Sequence, residues 1–326
     1  ARIWDWRDGQ ALTVLRGHSA AVRSAVLSTD GKSLITASDD HTARIWDLRA
    51  QKLALTLRGH ADAVISTAAS ADGRFIVTAS KDGTARIWDF LTGNLLAQLQ
   101  GHADAVISAD VSPDSKLIAT ASSDRTARLW SSQTGQAVAT LVGHRDAIVQ
   151  VAFSHDGTRL ATASHDKTAR LWAIPSGEFL YAIERHRDKV SSIAFSPDDM
   201  RLLSNGWDMT AHLWEVQSGR LIASLGWPDA RYIGWVISSA FSPDGKRIVT
   251  ATAPDGKYAL WDGVTGVQVI EVTGNPASIL AAAFSPDSAT MATAGDDGVI
   301  RLWNARSGLF LAALQGHAGP VVYVNF

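Results

Sequence analysis

The chain has 326 residues, of which 46% are hydrophobic, and its 30 Lys and Arg against 32 Asp and Glu give a formal net charge of −2. This balance argues against a surface for nucleic acid or an anionic membrane, and the absence of cysteine excludes disulfides and Cys-ligated zinc. No apolar run reaches the ~18 residues that cross a bilayer, and the first residues lack the apolar segment of a signal peptide, so we expect a cytoplasmic protein.

A unit of 42 residues recurs along the chain. Its most regular part, residues 42–47, returns at 84–89, 126–131 and 168–173. One interval between successive tryptophans in this register is lengthened to 47 residues. The tryptophans in register are Trp4, Trp46, Trp88, Trp130, Trp172, Trp214, Trp261 and Trp303.

Each unit contains short runs that alternate apolar with small or polar residues, separated by turn sequences such as the Ser-Pro-Asp-Gly of 242–245. In the fourth unit these runs cover 148–153, 159–164, 168–172 and 178–183. Alternation with a period of two predicts strands, and four runs joined by tight turns predict a four-stranded antiparallel sheet. Such a sheet cannot bury both faces alone, so the repeats are expected to pack face to face.

Two dipeptides mark most units, a Gly-His before the first predicted strand and a Trp-Asp at the end of the third. The Gly-His pairs are Gly17-His18, Gly59-His60, Gly101-His102, Gly143-His144 and Gly316-His317, with Arg185-His186 as a variant. The Trp-Asp pairs are Trp4-Asp5, Trp46-Asp47, Trp88-Asp89 and Trp261-Asp262. With this period and these pairs, the chain resembles the WD-repeat β-propeller family over essentially its whole length. Its regularity resembles prokaryotic-type WD-repeat arrays, which suggests an excerpt of a larger multidomain protein.

The resemblance implies an all-β propeller with four-stranded antiparallel blades. We expect eight blades, with seven as the alternative, in a single domain over residues 1–326. One blade is expected to be shared between 1–16 and 316–326. The other repeats are expected at about 17–58, 59–100, 101–142, 143–184, 185–225, 226–273 and 274–315.

The family pattern also implies a hydrogen-bonded relay within each blade, from the Trp indole to a Ser, then to the His and then to an Asp. A buried indole N–H needs an acceptor, and an imidazole has one donor and one acceptor to place. The implied relays are Trp46, Ser38, His18 and Asp40; Trp88, Ser80, His60 and Asp82; Trp130, Ser122, His102 and Asp124; and Trp172, Ser164, His144 and Asp166.

Repeated Ser, His and Asp have the residue types of a hydrolase triad, but a triad occurs once beside an oxyanion hole. This constellation recurs from unit to unit, without a Gly-x-Ser-x-Gly segment, so we predict a structural role and no catalytic residues. The relay histidines lie 42 residues apart, and no close His/Asp cluster at ligand spacing is apparent in the sequence. We therefore predict no metal and no cofactor.

Units five to seven depart from the pattern. Gly206 replaces the relay Ser of the fifth unit, 226–228 (Gly-Trp-Pro) replaces the Gly-His of the sixth, and Asn275 and Gly295 take the His and Ser positions of the seventh. Three of the four tryptophans outside the repeat register lie in this stretch. Exposed aromatic residues beside arginine are typical of binding hot spots. We predict a partner-binding patch formed by Trp207, Trp227, Arg231, Tyr232 and Trp235. The alternative is that these rings fill gaps left by the missing His and Ser.

A second candidate feature is an aspartate three residues after the Gly of successive Gly-His positions. These are Asp62, Asp104, Asp146 and Asp188. They could form an acidic arc that steers a basic partner. Alternatively, each caps the backbone of its own loop.

We predict a non-enzymatic interaction scaffold or sensor ring that binds a protein or peptide, including companion domains of the same polypeptide, on one rim. The alternative is a regulatory ligand-sensing domain of a larger signalling or defence NTPase, kinase or protease-like protein. A propeller enzyme is less favoured because no single, non-repeating polar cluster is apparent. Nucleic-acid binding is less favoured because the basic excess is missing.

Overall fold

The computed structural model describes residues 1–226, 235–253, 256–272 and 277–326. Within these ranges the chain folds into antiparallel β-sheets joined by turns. No helix in the described part is long and apolar enough to cross a membrane. The first two strands, β1 (Arg2–Trp4) and β2 (Ala11–Val14), pair with each other as a two-stranded sheet.

The first of two compact units comprises Ala1–Ile3 and Thr13–Ala182. Its four-stranded sheets follow one another along the chain, and neighbouring strands of each sheet are consecutive in sequence. Their strands are β3 (Val22–Leu27), β4 (Ser33–Ser38), β5 (Ala43–Asp47), β6 (Lys52–Leu57), β7 (Val64–Ala69), β8 (Phe75–Ser80), β9 (Ala85–Asp89), β10 (Leu95–Leu99), β11 (Val106–Val111), β12 (Leu117–Ser122), β13 (Ala127–Ser131), β14 (Ala137–Leu141), β15 (Ile148–Phe153), β16 (Arg159–Ser164), β17 (Ala169–Ala173) and β18 (Glu178–Ile183).

The second unit comprises Trp4–Leu12 and Ile183–Phe326. It contains the fifth, sixth and seventh four-stranded sheets, with the same sequential order of strands. Their strands are β19 (Val190–Phe195), β20 (Arg201–Gly206), β21 (Thr210–Glu215), β22 (Leu221–Gly226), β23 (Trp235–Phe241), β24 (Arg247–Ala253), β25 (Tyr258–Asp262), β26 (Gln268–Val272), β27 (Ile279–Phe284), β28 (Thr290–Gly295), β29 (Ile300–Asn304) and β30 (Phe310–Leu314).

Consecutive sheets within each unit pack through their first strands. In the first unit β7 contacts β3 and β4, and β11 contacts β7 and β8; in the second, β27 contacts β23 and β24. The second strand of a sheet is consequently buried on both faces, as in β8, where all six residues are buried. Fourth strands such as β10 lie at the sheet edge and are largely exposed. The predicted need for face-to-face packing is confirmed within each unit.

The repeated tryptophans join neighbouring sheets. Trp88 of the second sheet packs into the core of the first with Ile45 and Leu57. Trp130, Trp172, Trp261 and Trp303 pack in the same way against the sheet before their own. A buried indole provides a large apolar area, so each of these five tryptophans stabilises the packing of its sheet against the preceding one.

The seven four-stranded sheets in the described part of the chain fit the seven-blade alternative better than the eight blades that we expected. An eighth blade would need residues 321–326 as a strand beside β1 and β2, but these residues form no strand. Val321 instead donates its N–H to the carbonyl of Gly295 and packs into the core of the seventh sheet. Trp4 Nε1 is buried without a hydrogen-bond partner among the described residues.

Candidate interaction surface

The polar relay of the second sheet passes through a threonine. Trp88 Nε1 donates to Thr78 Oγ1 at 2.8 Å, Thr78 Oγ1 lies 2.7 Å from His60 Nε2, and His60 Nδ1 lies 2.8 Å from Asp82 Oδ2. Since the indole donates to Thr78, the threonine proton can be donated to Nε2, which leaves Nδ1–H for the carboxylate. The equivalent hydroxyls in the first, third, fourth and fifth sheets belong to Thr36, Thr120, Thr162 and Ser204.

The assignment of Ser38, Ser80, Ser122 and Ser164 to the relays is wrong. Trp88 stands opposite Ile76 in the ladder, so Thr78 is its diagonal neighbour on the same face. Ser80 lies four residues beyond Ile76, about 13 Å along the strand, which is out of reach of the indole. Ser80 Oγ instead donates to the carbonyl of Asp62 and accepts the N–H of Asp82, which ties the turn to the Gly-His loop.

The relay of the second sheet keeps its imidazole neutral and its carboxylate ionised. Burial lowers the pKa of His60, an effect that the hydrogen bond to Asp82 only partly opposes. Burial would raise the pKa of Asp82, but hydrogen bonds from Thr84, His60 and the Ala61 N–H lower it to about 2. The relay is therefore a satisfied structural network rather than a group prepared for proton transfer at neutral pH.

The glycine of the Gly-His pair leaves room for an arginine. Arg86 Cζ lies 5.9 Å from the centroid of the Trp88 ring, a cation–π distance. A Cβ on Gly59 would lie only 2.2 Å from Arg86 Nη1, and Gly59 has a φ of +145°. The first and third sheets repeat this arrangement with Gly17 and Arg44 and with Gly101 and Arg128. In the fourth sheet Arg170 lies beside Gly143 in the same way, but its Cζ is 5.4 Å from the centroid of the Phe179 ring.

The fifth sheet changes three positions of this arrangement together. Arg185 stands where the other sheets have glycine, His212 stands where they have arginine, and Gly206 stands where they have serine. The ring centroids of His186 and His212 are 4.5 Å apart, and one ligand atom each of His186, Asp208 and His212 lie within 4.8 Å of one another. The spacing of residues in the sequence does not reveal this His/Asp cluster, because only the fold brings His212 against the ring of His186.

The loops beside this cluster expose one predicted partner-binding residue. We call residues 185–189 and 206–209 the fifth-sheet loop edge. Trp207 is 44% exposed, its N–H bonds to the Lys189 carbonyl, and Lys189 Nζ lies 5.0 Å from its ring centroid. Trp207 thus displays its ring, as the hot-spot interpretation requires, instead of filling a gap in the core.

The other predicted aromatic residues cannot be placed beside Trp207. Trp227, Arg231 and Tyr232 lie outside the described residues, as does Asn275. Trp235 is the first residue of β23. Trp207 is therefore the residue of the predicted patch that lies on a described surface. The patch as a whole stays a prediction.

Most aspartates of the predicted acidic arc are exposed, and each also binds the backbone of its own loop. Asp62, Asp104 and Asp146 are exposed, whereas Asp188 is half-buried. Each carboxylate also accepts the N–H of the next residue at 2.6–2.8 Å, which is the local capping alternative. Exposed cations stand in the loops and turns of the first unit, so these loops carry both signs of charge, and an acidic arc that steers a basic partner stays a prediction. These cations are Lys81, Arg125, Arg145 and Lys167.

Comparison with protein families gives a match to the repeat described as WD domain, G-beta repeat. The match recurs six times and covers more than half of the chain. The matched residues are 9–47, 51–89, 93–131, 135–173, 177–215 and 266–304.

Curated relatives are similar over shorter stretches. The chain is 28% identical over 91 residues to a Periodic tryptophan protein 2 homolog of Dictyostelium discoideum, which is 28% of the chain and 10% of that protein. It is 37% identical over 93 residues to the Transcriptional corepressor LEUNIG_HOMOLOG of Arabidopsis thaliana, which is 28% of the chain and 12% of that protein. It is 40% identical over 67 residues to WD repeat-containing protein 1 of Gallus gallus, which is 20% of the chain and 11% of that protein. Each match thus spans only about a tenth of the relative. The six repeat matches, the seven four-stranded sheets and the relays together show that the chain belongs to the WD-repeat family, whose fold is an all-β propeller.

Proposed function

We propose that this WD-repeat chain is a non-enzymatic scaffold that binds a protein or peptide partner through the fifth-sheet loop edge. The observation that carries the proposal is the exposure of Trp207, whose ring stands beside Lys189 in a sheet that departs from the repeat at three positions. Tryptophan offers a large, rigid contact area, and interface hot spots are enriched in it. WD-repeat propellers typically serve as protein-interaction scaffolds, which agrees with this assignment.

The chemistry of the relays supports a role without catalysis. Ser and Thr hydroxyls in these sheets are held by backbone or imidazole partners, and the same geometry recurs in five sheets. A nucleophile needs an attacking position beside an oxyanion hole, which a buried, repeated hydroxyl does not have. We propose that the partner is a protein or peptide, which includes companion domains of the same polypeptide, and that the chain works in the cytoplasm. A sensory role within a larger signalling protein remains a second interpretation.

The test compares Trp207→Ala with Leu91→Ala. Leu91 is 83% exposed in the turn between β9 and β10, so its replacement controls for the loss of any exposed apolar side chain. Partners captured by wild type are identified by mass spectrometry, purified, and their affinities measured for all three proteins.

A hot-spot tryptophan contributes about 2 kcal/mol or more, so Trp207→Ala is expected to weaken binding by roughly 30-fold or more. Leu91→Ala should leave the affinity within about twofold. Equal affinity of Trp207→Ala and wild type for every captured partner would rule out this surface.

A further inference from the structure

A cluster of three potential ligands distinguishes the fifth sheet from the other described sheets. His186 approaches from the loop before β19, Asp208 from the turn after β20, and His212 from β21. This is the one group of three His, Cys, Asp or Glu residues with converging ligand atoms within the described ranges. We propose that His186, Asp208 and His212 bind a divalent first-row transition-metal ion of the Zn²⁺ class.

The donor set fits this class of ion. Imidazole nitrogen and carboxylate oxygen are the usual ligands of Zn²⁺, whereas Mg²⁺ prefers oxygen ligands alone. His186 Nδ1 lies 3.1 and 3.2 Å from the two carboxylate oxygens of Asp208. Thr210 Oγ1 lies 2.7 Å from Asp208 Oδ1 and 3.1 Å from His212 Nε2, which adds a neutral oxygen at the same place.

The surroundings of His186 resemble those of a metal ligand. Its second nitrogen, Nε2, lies 2.8 Å from Ser204 Oγ, which also accepts the indole N–H of Trp214. Hydrogen bonds of this kind to the far nitrogen fix the ring plane of ligating histidines. The relay that is merely structural in the other sheets therefore orients a ligand in this one.

The third ligand can move to complete the site. Tetrahedral bonds of 2.0–2.2 Å separate ligand atoms by about 3.4 Å, so the present spacing, up to 4.8 Å, must contract by up to about 1.4 Å. His212 is 4% exposed, and its Nδ1 has no hydrogen-bond partner among the described residues. Among the described residues the ring is thus hydrogen-bonded through Nε2 alone, so a small shift toward the other two ligands would break no hydrogen bond at Nδ1.

Gly206 provides the space in which the ligands converge. A Cβ at this position would lie 2.3 Å from His186 Nδ1 and 2.6 Å from Asp208 Oδ1. The four preceding sheets place serine here, and each has arginine instead of His212. Both departures from the repeat therefore favour the same site. His212 adds a ligand, and Gly206 removes the side chain that would obstruct it.

Two variants that restore the repeat pattern test the proposal. His212→Arg installs the arginine of the other sheets, and Gly206→Ser installs their serine while it keeps all three ligands. The control is His41→Gln, which removes an exposed histidine of the first unit. The chain is treated with a chelator and titrated with Zn²⁺ and then with Mg²⁺ by calorimetry, and Co²⁺ absorption reports the coordination geometry.

We expect wild type and His41→Gln to bind one Zn²⁺ with equal affinity and Mg²⁺ at least tenfold more weakly. His212→Arg and Gly206→Ser should each bind Zn²⁺ at least tenfold more weakly while their thermal melting shows a folded protein. Absence of saturable Zn²⁺ binding by wild type would overturn the proposal, as would unchanged binding by a folded form of either variant. Since none of these measurements depends on Trp207, their failure would leave the proposed interaction function intact.

Discussion

The relay threonine satisfies two buried neighbours at once. In the second sheet, the Thr78 hydroxyl accepts from Trp88 Nε1 and contacts His60 Nε2, and all three side chains are buried. Leaving a buried donor or acceptor unsatisfied costs about 1–3 kcal/mol, which is more than the net contribution of a typical hydrogen bond. A single hydroxyl therefore determines how much two larger side chains contribute to the stability of the fold.

The relay assignment predicts a stability order for two substitutions. Thr78→Val preserves the shape but leaves Trp88 Nε1 and His60 Nε2 unsatisfied, so we expect a loss of about 2–4 kcal/mol in the free energy of unfolding. Ser80→Ala removes only turn hydrogen bonds and should cost about 1 kcal/mol. Urea denaturation of both variants measures the order, and the reverse order would restore serine as the relay residue.

In the first four sheets, the glycine of the Gly-His pair in the loop before the first strand is matched to an arginine on the third strand. The replacement of both in the fifth sheet, by Arg185 and His212, supports this coupling. Gly59 lies beside the Arg86 guanidinium, which stacks on Trp88. The glycine of the Gly-His dipeptide is thus partly required by the space that the arginine side chain, about 27 residues later in the sequence, occupies.

We expect Gly59→Ala to lower the free energy of unfolding by about 1–3 kcal/mol, because the new Cβ would overlap Arg86. Adding Arg86→Ala should recover part of this loss, so that the double-mutant cycle gives a favourable coupling. Gly31→Ala is the control, since Gly31 has a φ of +66° but nothing within 4 Å of its Cβ position. Purely additive effects of Gly59→Ala and Arg86→Ala would contradict the steric explanation.

At the scale of elements, the sequence pattern predicts the positions of strands better than it predicts the contacts between side chains. The runs at 148–153, 159–164 and 178–183 coincide with β15, β16 and β18, and the run at 168–172 matches β17 within one residue. Alternation reports local burial, so it locates strands reliably. It does not report which of several hydroxyls on one face an indole reaches, nor that His186 meets His212, since both depend on register and on loop geometry.

Across the whole molecule, the relays make stability depend on pH. Burial lowers the pKa of His18, His60 and His102 below the unfolded value of about 6.5, while hydrogen bonds overcome burial to lower the pKa of Asp82 and Asp124 to about 2. A lowered folded pKa means that the unfolded chain binds protons first. These groups therefore stabilise the fold above the unfolded pKa and lose that contribution as pH falls.

We expect the free energy of unfolding to be constant between about pH 7 and 8 and to fall from about pH 6.5 as the histidines of the unfolded chain protonate. A second, steeper decline should begin near pH 4, where the aspartates of the unfolded chain protonate. Burial raises the pKa of Asp110, so this residue opposes the loss of stability as the pH falls, but it is one group against several. Denaturant titrations from pH 8 to 3 measure the profile, with His41→Gln as an exposed-histidine control. A rise in stability between pH 7 and 5 would refute it.

At the same scale, the number of blades could not be read from the repeat alone. Eight tryptophans in register predicted eight blades, but β1 and β2 form only a two-stranded sheet while the remaining seven periods form complete sheets. Counting a motif on the third strand does not establish that the first and second strands are present. The cytoplasmic location likewise stays a prediction.

The packing of Trp4 and Trp6 against the seventh sheet has a consequence for the order of folding. Trp6 meets Phe326 edge to face with ring centroids 6.0 Å apart, and Trp4 packs beside Leu302 and Leu314. Closing a loop of roughly 300 residues costs about 5 kcal/mol in chain entropy. At roughly 5–20 residues per second, a ribosome exposes these early tryptophans for about 15 to 60 seconds before their partners exist. Trp4 and Trp6 therefore reach these contacts only after roughly 300 further residues have been made, and in that interval their exposed rings depend on protection from aggregation.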